Sequence, residues 1–502
     1  MRTFRSVPRV CSLAAVAALG LVALSSGCGG TNGEIDALGD SPAPATPERS
    51  TSTTTADLSR DGALASGSVD IRSSGVGLFY PAARYLAGSG PESITPVRLA
   101  PPGFGDDVRL NAFGSQVQRV TATAWGNHDY SQLQAFAYDN GHVLLVEGER
   151  EDDRGWVVRR WPDLTLALDG AITDAWNVPR WHPLLPETMV HFDSNEDEVL
   201  RLQFTNVASG VTETVFTFPR EFRRIRGNQS FDEISRTGEW LAGLATTDSG
   251  QVIFSFHLAR LELGAVIDFD GFYTGPCAPD PEWGNVEPDW VGVSPLGRFL
   301  VIQWPTDGTG RCQGLETFDV SSGAFVGRVH AGHPHGDLTV LADGVTEVFV
   351  TSELSGPGSG ERFAGGEPGG GDLDSNYPAL SYRQLPGSAI SEQSPVFLYL
   401  TDWVVEHISC RGPIGWCLVT STLGPENAEY DPLEGELFVI LLDGSGVLRL
   451  GHHHSSSDGY WQQPRASVSA DGRYVVFDSD WRGEGPGGAT SAYVIDLLAA
   501  SD

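Results

Sequence analysis

The sequence predicts an all-β chain folded as a single β-propeller, with seven four-stranded blades as the best count and six or eight also compatible. Two observations carry that expectation. One hairpin recurs: Ile234-Ser235-Arg236-Thr237-Gly238-Glu239-Trp240-Leu241, then Val293-Ser294-Pro295-Leu296-Gly297-Arg298-Phe299-Leu300, then Val468-Ser469-Ala470-Asp471-Gly472-Arg473-Tyr474-Val475. No long stretch places apolar residues at the helical period, while 61 Gly and 31 Pro punctuate 502 residues, so turns are many and helices few.

The hairpin has a physical logic. An apolar strand ends, Ser or Asp bonds the turn backbone, Gly takes a positive φ, and a second alternating strand begins. Looser copies are Val340-Leu341-Ala342-Asp343-Gly344, Tyr138-Asp139-Asn140-Gly141-His142, Gly412-Pro413-Ile414-Gly415-Trp416-Cys417, and the stretch from Trp181 to Phe192 with Pro186 in place of Gly. Turns thus fall near 141, 186, 238, 297, 344, 415 and 472, at intervals of roughly 45 to 70 residues. A four-stranded blade with its loops requires about that length. The longest interval holds a Gly-rich stretch, 355–376, that reads as an inserted surface loop. Residues 70–125 are left to supply a closing strand or a degenerate blade, and closure matters because it hides the edge strands of the first and last blades.

Ahead of the propeller, expected over 69–502, the sequence places an export signal at 1–27 and a linker at 28–68. Arg2, Arg5 and Arg9 precede an apolar run from Cys11 to Leu24, with Ser25-Ser26-Gly27-Cys28 following. That run is too short for a membrane span. The segment resembles a bacterial lipoprotein signal, which implies lipidation of Cys28 and attachment to a membrane of the cell envelope. Leu24 stands four residues before the Cys, where that family prefers three, so a periplasmic or secreted soluble protein is the alternative. The linker is rich in Ser, Thr and Pro and lacks the apolar surface to offset chain entropy.

The net charge is −33, which repels phosphate backbones and argues against nucleic acid as a partner. All 32 basic residues are Arg, so no lysine chemistry is available. Four cysteines remain in the propeller region: Cys277, Cys312, Cys410 and Cys417. An even number in an exported chain suggests two disulfides, and proximity favours Cys410 with Cys417, leaving Cys277 with Cys312. A zinc site is the rival, but no C-x-x-C pair supports it.

Ser469-Ala470-Asp471-Gly472-Arg473-Tyr474-Val475-Val476-Phe477-Asp478-Ser479-Asp480 resembles the blade motif of TolB-type propellers. The resemblance spans roughly 125–500 through short motifs. It implies the fold and leaves the activity open.

In a propeller, residues just before each inner strand crowd one mouth of a central channel. The candidates there are Trp181, His182, Asp289, Trp290, His333, His335, Asp337, His407, His452, His454, Trp461, Gln463 and Arg465. Eight of the 12 His lie in these stretches. Such a gathering suits a divalent metal ion, with His333, His335 and His407 as ligands, or acid–base work near neutral pH. The plainer alternative is bonding to neighbouring turns. Trp181, Trp290 and Trp461 suit either stacking on sugar rings or packing between blades.

A narrower resemblance is to oligogalacturonate lyases, seven-bladed propellers with manganese at the channel mouth. That family carries a His-x-His metal pair just before the last Ser-x-Asp-Gly turn. This chain has Gln463 and Arg465 there, and Arg offers a metal no lone pair. The stretches 193–197 and 372–376 alternate oxygen-bearing side chains as calcium loops do, without the rest of an EF-hand pattern. No nucleophile elbow, phosphate loop or dinucleotide fingerprint is present. The expectation is an exported, lipid-anchored propeller binding carbohydrate or an envelope protein at its channel mouth. The alternative is a metal-dependent polysaccharide lyase or hydrolase.

Overall fold

The computed structural model describes residues 71–499 except 75, 82–91, 111, 151–152, 170–178, 195–198, 227–233, 355–361, 365–377, 388–392, 402–404, 422–431, 458 and 486–488. The signal, Cys28, the linker, most of the Gly-rich insertion, 195–197 and 372–376 lie outside the described residues.

Seven antiparallel blades follow one another around a propeller. In chain order their first strands are Trp125–Asn127, Arg180–Trp181, Phe222–Ile225, Trp290–Val293, Gly336–Val340, Val405–Ser409 and Ser467–Val468. Four sheets have four strands and three have five. The fifth blade adds a short parallel strand, Arg362–Phe363. Phe269–Thr274 is the one α-helix among the described residues.

The seven turns read from the sequence all fall between a blade's first and second strands. The three close copies repeat one set of bonds. The Oγ atoms of Ser235, Ser294 and Ser469 accept from the N–H of Trp240, Phe299 and Tyr474 at 3.0, 3.0 and 2.9 Å. Gly238, Gly297 and Gly472 have φ of 70°, 68° and 79°, the region a Cβ disfavours. The first two turns use other residues: Asn140 and Glu187 carry the positive φ, not Gly141 or Pro186.

The core is distributed between blades, and every neighbouring pair shares an apolar cluster. Met189 packs with Leu144 between the first and second blades, Leu202 with Leu241 between the next two, and Leu244 with Leu300 between the third and fourth. Val301 meets Phe349, Val350 meets Val419, and Val439 meets Val468 around the rest of the ring. Val476 and Val494 of the seventh blade pack on Val143 and Leu145 of the first, which closes the circle. Middle strands are therefore walled on both faces, and Trp416–Ser421 and Glu436–Leu441 are buried at every position.

Residues before the first blade form closing strands, not an eighth blade. Ser115–Arg119 pairs with Ser491–Asp496 on the outer side of the seventh blade, and Asp107–Leu110 pairs with Ser115–Arg119 in turn. Leu78–Pro81 adds a fifth strand to the sixth blade. Both expected disulfides form: Cys277–Cys312 joins the loop entering the fourth blade to a loop within it, and Cys410–Cys417 clasps the first hairpin of the sixth.

Candidate functional site at the channel mouth

The first blade's inner strand is broken. It pairs at Trp125–Asn127, turns aside at Asp129 with φ of 80°, and rejoins the sheet where Leu144 N–H donates to Ala135 O at 2.8 Å. The excursion, 128–132, reaches over the mouth. Gln132 Nε2 donates to Gly336 O of the fifth blade at 2.5 Å, although those two blades are not neighbours.

Beside that bridge lies a small recess of about 20 Å³, room for roughly one water molecule or one hydroxyl group. Tyr130 and Gln132 line it from the first blade, Asp289, Trp290 and Gln303 from the fourth, His335 from the fifth and His407 from the sixth. Trp290 Nε1 donates to Gln303 Oε1, and Gln303 Nε2 donates to Pro334 O at 3.0 Å, so this wall is fixed.

His407 is buried at this recess. The exposed His335 ring stacks on it at 4.8 Å, and Tyr130 meets it edge-on at 5.3 Å. Neither ring nitrogen of His407 has a hydrogen-bond partner. Burial holds its pKa well below that of a free histidine, and His335, Arg465 and His128 oppose a further charge there. A neutral imidazole offers one donor and one acceptor. Asp289 faces the same recess. The protein mass around it raises its carboxyl pKa, while His333 and His335 pull it down.

A second polar layer lies behind. Asp478 Oδ1 accepts from the backbone N–H of His128 at 3.1 Å and meets its Nδ1 at 2.9 Å. His128 Nε2, Asp129 Oδ2 and Asp478 Oδ2 are buried without partners. Burial raises the Asp129 pKa, against the lowering effect of Arg465. Arg465 clamps the layer, donating to Asp129 O at 3.1 Å and Tyr460 O at 2.8 Å. Its guanidinium lies 4.6 Å from the Tyr460 ring and 5.2 Å from Trp461, and Arg154 covers Trp461 at 4.1 Å.

The far end of the channel is crossed by Arg236. It leaves the third blade's turn and donates to Cys410 O and Gly412 O of the sixth at 2.6 and 2.7 Å. Burial, with Arg411 beside it, lowers its pKa to about 10. Asp337 accepts from Cys410 N–H and from Arg411 in the same region.

The predicted site residues divide. Asp289, Trp290, His335 and His407 meet at the cavity. His333 is exposed at the rim and bound to Asp307 at 2.6 Å. Asp337 lies within an inner strand and holds Arg411, Trp461 lies under two guanidiniums, and Arg465 is a buried clamp that draws on Gln463 O at 3.5 Å. Trp181 packs between blades, donating to Ala135 O at 3.0 Å, and His182 Nδ1 accepts from Leu184 and Leu185 N–H. His452 ends an outer strand near Glu436, at 3.6 Å, and His454 stacks on Trp481 at 4.7 Å. Among the described residues, no three His, Cys, Asp or Glu side chains group to hold a metal ion. Reading the sequence missed His128, Asp129, Tyr130, Gln132, Gln303 and Asp478. The polar run 127–132, inserted just before the first hairpin, was the available signal.

No family model matches this sequence, and no characterised protein matches it at the level of sequence. Solved structures match by fold. An oligogalacturonate lyase in complex with manganese superposes with a TM-score of 0.50 at 12% identity, over 80% of this chain and 98% of that one. The β-propeller domain of the Trilobed protease from Pyrococcus furiosus gives 0.37 at 11% identity, covering 70% and 91%. TolB from Acinetobacter baumannii gives 0.31 at 12% identity, covering 63% and 66%. At such identities the likeness to the lyase is one of fold.

Proposed function

We propose that the channel mouth binds the end of a neutral carbohydrate, in a protein exported to the cell envelope and held there by a lipid anchor on Cys28. The observation that carries this reading is His407, a buried neutral imidazole with both nitrogens unpaired, at a small recess where side chains of four blades meet. Buried polar groups ordinarily find partners, so an unpaired imidazole beneath a recess is suited to a ligand that reaches it and supplies a donor and an acceptor. Adjacent sugar hydroxyls do so. Tyr130 and Trp290 add aromatic surface, and Gln132 and Asp289 add polar groups around the recess. The charge of −33 disfavours a polyanionic ligand, which argues for neutral sugars over uronates.

The lyase alternative requires a metal. The residues present do not suit manganese: Arg465 stands where the lyase family has a ligand, its guanidinium is bonded to carbonyls, and no three-ligand group exists among the described residues. A glycan array with neutral and acidic oligosaccharides tests the reading. The wild type is expected to retain neutral glycans, and His407→Phe, which keeps an aromatic ring and removes the nitrogens, is expected to weaken them at least about tenfold, roughly 1.4 kcal/mol. Retention of uronates alone, with a divalent ion lost in His335→Ala and His407→Phe, would favour the lyase instead.

A further inference from the structure

We infer that Trp283 forms an outer subsite for a sugar ring of the same carbohydrate, so that the ligand is an oligosaccharide lying across the mouth face; this rests on the carbohydrate reading above. Trp283 is 73% exposed, an unusual position for a residue whose ring is largely apolar. It is also held firmly. Asp280 Oδ1 accepts from the N–H of both Glu282 and Trp283 at 2.8 Å, and Asp280 and Gly284 exchange backbone bonds at 2.6 and 2.9 Å. The loop that carries this turn is fixed on both sides. Cys277 is tied to Cys312, Tyr273 Oη donates to Val286 O at 2.8 Å, and Glu287 accepts from Arg226 and Gln251 of the third blade.

The same loop runs directly into the cavity wall at Asp289 and Trp290. Asp289 follows Trp283 by six positions, so the two lie at most about 22 Å apart even if the chain is fully extended. An oligosaccharide of a few units can bridge any separation within that bound, from the recess to the Trp283 ring. A rigid aromatic face on this loop gives a pyranose ring a stacking surface with little ordering cost. The neighbouring Glu282 and Pro281 are exposed, and Glu282 supplies a carboxylate for hydroxyl groups. The surrounding acids, Asp280, Glu282 and Glu287, select against an anionic ring at this position. Trp461 is not equivalent, because Arg154 and Arg465 already lie against it.

The test is calorimetric titration with gluco-, xylo- and manno-oligosaccharides, each as a disaccharide and a hexasaccharide. Trp283→Ala is expected to weaken the hexasaccharide of the bound series roughly tenfold and leave its disaccharide unchanged, while Trp283→Tyr restores most of the affinity. Unchanged hexasaccharide binding in Trp283→Ala, with loss in His407→Phe, overturns the subsite and leaves the mouth reading intact. Equal weakening of both lengths also overturns it, since the residue then acts through the loop. If the wild type binds none of the six sugars, both readings fall.

Discussion

Lowering the pH from about 7 to about 5 is expected to destabilise the propeller by several kcal/mol. The cause is five buried histidines. Burial lowers the pKa of His182, His191 and His454 to about 4, and of His452 and His453 to about 3. Unfolded, each titrates near 6.5, so between that value and the folded one the unfolded chain binds more protons. Stability is then fully present above about pH 6.5 and is lost as the pH falls, by up to roughly 1.4 kcal/mol per pH unit for each histidine. Carboxyls raised by burial, such as Asp129 and Asp289, oppose the trend without matching five imidazoles. Urea unfolding at a series of pH values reads the effect as a falling midpoint at constant slope. A midpoint that holds steady from pH 7 to 5 would mean that these rings are not sealed as described.

The second large effect is expected at the ring's closure. Val117 sits fully buried in the strand that completes the seventh blade, where it pairs with Ile495. Val117→Asp places an unpaired carboxylate between apolar walls and is expected to cost at least about 4 kcal/mol. Starting the chain at residue 121 removes the closing strands outright and leaves the edge at Ser491–Asp496 unpaired. Such a chain is expected to lose its sharp thermal transition and to aggregate. A transition as sharp as that of the full propeller, measured by calorimetry, would show that the ring closes without this strand.

The parts of this architecture that depend on local chemistry were legible in the sequence. Ser235, Ser294 and Ser469 each make the same bond because a hairpin of that shape needs an acceptor at that position, and the pattern survives in the letters. The two disulfides were legible for a similar reason, since Cys410 and Cys417 flank one such turn. Closure was only half legible: 107–119 carries no recognisable turn motif, and its place is set by a partner nearly four hundred residues later. The site was least legible. His407 and Asp337 fall inside inner strands and not before them, and what decides their roles is depth in the channel, which sequence position does not encode. His452 and His454 looked like mouth residues by order along the chain, yet they lie at the end of an outer strand that has a further strand, Leu78–Pro81, outside it. The excursion 128–132 is hard to read from sequence because it interrupts a strand in place of preceding one.

The most direct check on a ligand site at this mouth is the NMR spectrum of histidine-labelled protein during titration with a bound neutral oligosaccharide. Ring signals of His335 and His407 should move together as the sugar is added, while those of His452, His453 and His454 stay in place. Movement confined to the latter three, or none at any of the five, would contradict a carbohydrate site built from the inner strands.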